Sequence, residues 1–256
     1  MNSIKLKIGL IVILGLLISG CTKSPEPINN LKGTEAKFVI DSRQWTVRIF
    51  TNTESPKGVF WFLPHDDENT AEKSAQYAVK KYGGGYLKIC ANNQREFEGI
   101  DPNRYFKKEP QFANTILQLI NRYRATGVPY LTLHNNKREG NITILNKTSN
   151  KKRKLIKYPA HNPITRGKGK LSDDNNLVYI AGKNIKQSDI NALLNKGLNV
   201  IYERVTKSNN DGSMSNYIAL NSNVKYYNIE AEHKKLKIQK KMIDLLMSVI
   251  GKKPLR

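Results

Sequence analysis

The tetrapeptide His65-Asp66-Asp67-Glu68 places an imidazole and a carboxylate three residues apart, directly after the apolar run Gly58–Leu63. An unbroken apolar run of that length reads as a strand covered on both faces. Open α/β sheets place their sites at the carboxyl ends of such strands. A turn there can aim both side chains at one point, and this nitrogen and oxygen pair belongs to the ligand set of a catalytic zinc. The third ligand must come from another strand end, and His134 follows the apolar run Val128–Leu133. Two histidines and one glutamate leave a fourth position for water, whose pKa a metal lowers. The motif alone fits a helix-capping Glu beside an incidental His better than a metal site. Two further stretches weigh against that bland reading. Arg95 precedes the polar loop Asp101-Pro102-Asn103-Arg104, and the pair of arginines supplies two fixed cations. Glu230 ends the run Val224–Ile229, where a carboxylate can face the same sheet edge as both histidines. A metal, a base, an oxyanion partner and a carboxylate clamp form a complete hydrolytic set.

Strands and helices must hold those residues in place. Lys37–Asp41 and Trp45–Thr51 read as paired strands, and Tyr86–Cys90 as another. Thr70–Tyr82 has helical spacing and is stopped by Gly83-Gly84-Gly85. Pro110–Ala125 is a second helix, with Phe112, Ile116, Leu119, Ile120 and Tyr123 near one face. Leu177–Ala181 and Leu198–Glu203 are strands around a helix over Ser188–Lys196, and Ala231–Ile250 is a long closing helix. The alternation predicts one α/β domain over residues 35–256, with a central, mainly parallel mixed sheet flanked by helices. Asp66 and Asp67 fit two roles, orienting a ligand from behind or facing solvent at the helix start. Tyr217 reads as a packed aromatic, and His161 and His233 fit no ligand position.

The whole chain has 256 residues and a net charge of +22. This composition excludes collagen-like, coiled-coil and wholly disordered chains, and the surplus charge points to an anionic partner. Lys5 and Lys7 precede the apolar run Ile8–Ile18, and Ser19-Gly20-Cys21 follows. That is a secretory signal over residues 1–20, and its ending resembles a bacterial lipobox; a plain signal peptide is the alternative. It predicts a lipid on Cys21, a tether over 21–34, and a periplasm-facing place in the cell envelope. Thr22, in place of Asp, favours the outer membrane in a diderm cell. With Cys21 acylated, Cys90 is expected to be an unpaired buried thiol. Residues 140–172 carry nine Lys or Arg and no acid, by default a solvated basic loop. Interleaved aromatics for base stacking are missing apart from Tyr158. Nucleic acid is therefore not an expected partner, whereas an anionic cell-wall polymer is.

The order HxxE, then R…DxNR, then strand-His, then strand-Glu resembles the zinc carboxypeptidase superfamily. It is nearest the branch of succinylglutamate desuccinylase and aspartoacylase, whose DLNR-type loop is similar to Asp101-Pro102-Asn103-Arg104. The resemblance implies one Zn²⁺ held by His65, Glu68 and His134, with Glu230 as general base. It implies that Arg95 stabilises the oxyanion, and that Asn103 and Arg104 hold a substrate carboxylate. The substrate it implies is a peptide or acyl-amino acid, with cell-wall peptides the candidate given the location. Pro102 departs from the usual Leu of that loop. Two other readings stay open: a non-catalytic envelope-binding lipoprotein, and a zinc de-N-acetylase, whose His-Pro-Asp-Asp-Glu is similar to His-Asp-Asp-Glu here.

Overall fold

The computed structural model describes residues 30–136, 143–144, 155–161 and 170–255. The expected signal segment over residues 1–20, Cys21 and most of the basic stretch 140–172 lie outside these residues. Nine strands form one sheet: β1 (Leu31–Ile40), β2 (Arg43–Asn52), β3 (Phe60–Leu63), β4 (Gly85–Ile89), β5 (Tyr130–Asn136), β6 (Leu155–Tyr158), β7 (Leu177–Gly182), β8 (Asn199–Arg204) and β9 (Tyr226–Glu232). Their order is β1-β2-β4-β3-β5-β9-β7-β8-β6. The four central strands β4, β3, β5 and β9 run parallel, as does the β7–β8 pair; the remaining pairings are antiparallel. Parallel strands are thus concentrated where the sheet is covered on both faces.

Helices cover both faces. Side chains alternate along a strand, so each strand supplies two cores. One face packs Leu131, Leu133 and Ile229 against α1 (Asn69–Tyr82), α3 (Gln187–Leu194) and α5 (Leu236–Val249). The other packs Phe60, Phe62 and Tyr226 against α2 (Pro110–Tyr123) and α4 (Met214–Asn221). The return from α1 into β4 depends on Gly84, which has φ +77°; a Cβ there would lie 1.7 Å from the Val59 carbonyl oxygen. Only glycine lets that turn press β4 beside β3. No helix among the described residues is long and apolar enough to cross a membrane.

Several boundaries move from their expected places. β1 begins at Leu31, inside the stretch expected to be tether, because it pairs along its whole length with β2. α5 begins at Leu236; the residues before it continue β9 to Glu232. β6 lies within the basic stretch and forms the edge of the sheet. α4 was not expected: Ser213 caps it by accepting from the Asn216 backbone N–H. Cys90 is disulfide-bonded, which corrects the expected unpaired thiol.

Candidate metal centre

β3 ends at Leu63, and Pro64 carries the chain to His65. Glu68 occupies the N-cap position of α1, where a side chain normally accepts from the first turn. Its carboxylate makes no such capping bond and points into the sheet edge instead. There Oε2 accepts from the Asn135 backbone N–H at 2.9 Å, and Oε1 lies 2.8 Å from His65 Nδ1. His134 lies inside β5, two residues before its end, because β9 continues to pair beside it. His134 Nδ1 is 3.2 Å from His65 Nδ1 and 3.4 Å from Glu68 Oε2. All three residues are buried.

Those separations test whether a metal fits. Ligands about 2.0–2.1 Å from a tetrahedral ion stand roughly 3.3 Å from one another. One nitrogen of each histidine and one carboxylate oxygen lie within 4.8 Å of one another, and nitrogen with carboxylate oxygen is a donor set that zinc accepts. The tautomer is also set. His65 Nε2 bonds Asp101 Oδ1 at 3.0 Å, and the Asp101 carboxyl is held down to about 2: burial works to raise it, but the His65 bond and charge outweigh burial. A carboxylate can only accept, so Nε2 carries the proton and Nδ1 is the ligating atom. Asp101 is fixed in turn by the Asn103 backbone N–H at 2.8 Å.

Among the protein groups, burial lowers the His65 pKa, but the Asp101 and Glu68 bonds hold it up at about 9. Burial likewise raises Glu68, and the charges and bonds of His134 and His65 push it below the usual carboxylate range. A proton shared between His65 and Glu68 must therefore leave when a metal enters. Glu230 sits opposite His134 in the β5–β9 register, on adjacent strands roughly 4.8 Å apart. It is buried, and that burial raises its pKa; the neighbouring Glu68 adds to the rise. Asn228 Nδ2 donates to Glu230 Oε1 at 2.7 Å.

The structure brings the remaining predicted residues to the same edge unequally. Arg95 donates through Nη1 to Glu68 Oε1 at 3.0 Å with half its side chain exposed. Arg104 lies 3.7 Å from Asp211, and both Arg104 and Glu230 are near enough to the buried Tyr226 hydroxyl to bear on its ionisation. Asn103 Oδ1 is buried with no partner among the described residues. Asp66 and Asp67 do not orient a ligand. Asp66 accepts from the Ala91 and Asn93 backbone N–H groups and pairs with Lys88. Asp101 takes the orienting role, and it stood in the polar loop without that assignment. Two further supports were missed. Gln239, inside α5, donates to the His134 carbonyl at 2.9 Å, and the Asn135 side chain accepts from the Ala71 N–H. Tyr217 packs on Phe106 as expected, and among the described residues His161 meets Asn195.

No protein-family model and no curated protein matches this chain. Solved structures do. An aspartoacylase family protein of Mesorhizobium loti aligns over 89% of this chain and 69% of its own, at 12% identity and a TM-score of 0.51. This chain has that protein's fold. A candidate metallopeptidase of Shewanella denitrificans aligns over 84% and 83% at 9% identity and a TM-score of 0.46. A candidate carboxypeptidase A from the same organism covers 87% and 65% at 12% identity and a TM-score of 0.44. The expected likeness to the aspartoacylase branch is borne out in the fold, and the His65, Glu68 and His134 cluster provides a candidate metal site on it.

Proposed function

We propose that this protein is a zinc-dependent hydrolase that cleaves an amide bond next to a free carboxylate. The observation that carries the reading is the convergence of His65, Glu68 and His134 beside a buried glutamate, Glu230, in register with one of them. When bound, the zinc would act as a Lewis acid and lower the pKa of a water molecule. Glu230 takes a proton from the attacking water and returns it to the leaving amine, and its raised basicity suits that exchange near neutral pH. Arg95, already at the site's mouth, faces the oxygen on which charge develops. Arg104 and Asn103 hold the substrate carboxylate, the arginine through paired hydrogen bonds. The aspartoacylase family neighbour favours a peptide or acyl-amino acid substrate. The envelope location makes cell-wall peptides the natural candidate.

An exported protein is consistent with both the N-terminal signal and a disulfide at Cys90. The chain has one other cysteine, and a single sulfur cannot hold both a disulfide and a lipid. Anchoring through Cys21 therefore predicts that Cys90 alkylates without reduction in membrane-extracted protein, alongside a lipid-sized mass increment. Alkylation only after reduction, with no increment, defeats the anchor and leaves a secreted enzyme.

The catalytic proposal is tested on Glu230→Gln. Metal analysis should find close to one equivalent of zinc in both forms. Turnover of N-acyl amino acids or peptidoglycan fragments should fall by about 10²–10⁴-fold in the variant. Well under one equivalent in the parent, with no activation on adding zinc, would sink the reading.

A further inference from the structure

Away from the metal centre, a cavity of about 550 Å³ lies between the start of α2, the α4 helix and the ends of β7 and β8. Lys107, Lys183, Arg204 and Lys207 line it, and no acidic residue does among the described residues. All four are exposed. Lys107 reaches only the Asn210 carbonyl, at 3.5 Å, and the other three make no ion pair among the described residues. The acids next in the chain to lining residues are engaged elsewhere: Glu109 accepts from the Gln111 backbone N–H, Asp211 faces Arg104, and Glu203 is fully buried against Tyr179. Four like charges around one concavity repel one another in water, and the arrangement is relieved by an anion.

The lining narrows the choice of anion. Val205 and Phe106 are buried in the lining, and Tyr217 is half-buried with its ring packed on Phe106. The amides of Asn184, Asn210 and Asn221 and the Thr206 hydroxyl add uncharged donors and acceptors between the cations. That mixture matches a ring bearing hydroxyls together with anionic groups. A second copy of this chain is disfavoured as the occupant by its net charge of +22, and the chain's own basic stretch is disfavoured for the same reason.

We propose that this groove is a second binding site, for an anionic carbohydrate: a glycan unit carrying sulfate, phosphate or carboxylate. The site is independent of the metal centre and holds even if the hydrolase reading fails. Calorimetry on the full chain tests it, with sucrose octasulfate, maltotriose and tripolyphosphate as probes at two salt concentrations. Sucrose octasulfate should bind one to one, more tightly than tripolyphosphate and weaken with salt, while maltotriose should bind far more weakly. Lys183→Glu combined with Lys207→Glu should weaken sucrose octasulfate at least tenfold. Both side chains are exposed, so the fold is not at stake. Glu230→Gln should bind as the parent does. Undiminished binding in the double variant overturns the proposal and assigns the anion to another surface. Tripolyphosphate or a single-stranded oligonucleotide of equal charge binding more tightly than the sulfated sugar overturns the carbohydrate assignment.

Discussion

Two clusters of buried charge lie side by side where β3 and β4 meet the start of α1. In one, Lys88 Nζ sits 2.7 Å from Asp66 and 2.8 Å from Glu72. In the other, Glu68 meets His65 and His134 at comparable distances. They differ in who supplies the positive charge. Lys88 is a full cation within the chain: burial works to lower its pKa, but Glu72 and Asp66 raise it above the usual lysine value. In the second cluster the positive charge comes from Arg95, half-exposed and touching one oxygen, and from a proton on His65 that ligation displaces. A buried ion cluster that closes on itself contributes to the fold, whereas one made of ligand atoms is arranged for an ion from outside.

One substitution in each cluster should separate them. Lys88→Met strands two carboxylates in a protein interior, and we expect a loss of about 3–5 kcal/mol in urea unfolding. Zinc stoichiometry in the folded fraction should stay at the parent value; lost zinc binding there would show that the clusters act as one. Asp101→Ala should do the reverse. It removes the acceptor that fixes the His65 tautomer, so competition with a chelator should show zinc affinity down roughly 10–100-fold. A variant that binds zinc as the parent does would break the assignment of Asp101.

The subtlest contrast is in pH. His65 is held at about 9 against an ordinary 6.5, so in zinc-free protein its contribution is fully present below about 6.5. It is lost as pH rises through about 9. Thermal melts of zinc-free protein should therefore fall over that interval, while the stabilisation gained on adding zinc grows, since ligation displaces the same proton. The Lys88 cluster should not respond there, because its lysine stays charged. Constant stabilisation by zinc from pH 6.5 to 9 would mean that no proton leaves the site.

Much of this was legible in the sequence, for identifiable reasons. His65, Glu68, His134 and Glu230 each follow or continue an apolar run, and such runs mark buried strands. The ends of β5 and β9 were misplaced, though not that of β3 at Leu63, because hydrophobicity fades before pairing does: His134, Asn135 and Asn136 still pair with Glu230, Ala231 and Glu232. α4 escaped notice because its eight residues follow Asn209-Asn210-Asp211-Gly212, which reads as loop, although Ser213 is a proper cap. Gln239 could not have been found. A polar residue in an amphipathic helix ordinarily faces solvent, and its partner His134 is 105 residues away.

That last bond has a consequence for biosynthesis. Gln239 belongs to the final helix, and besides the His134 carbonyl it holds Ser74 and Asn135. Every ligand strand will have left the ribosome before the residue that fastens them has been made. The metal centre is therefore among the last parts of this protein to take shape, and a chain stopped short of α5 should carry all three ligands without a finished site.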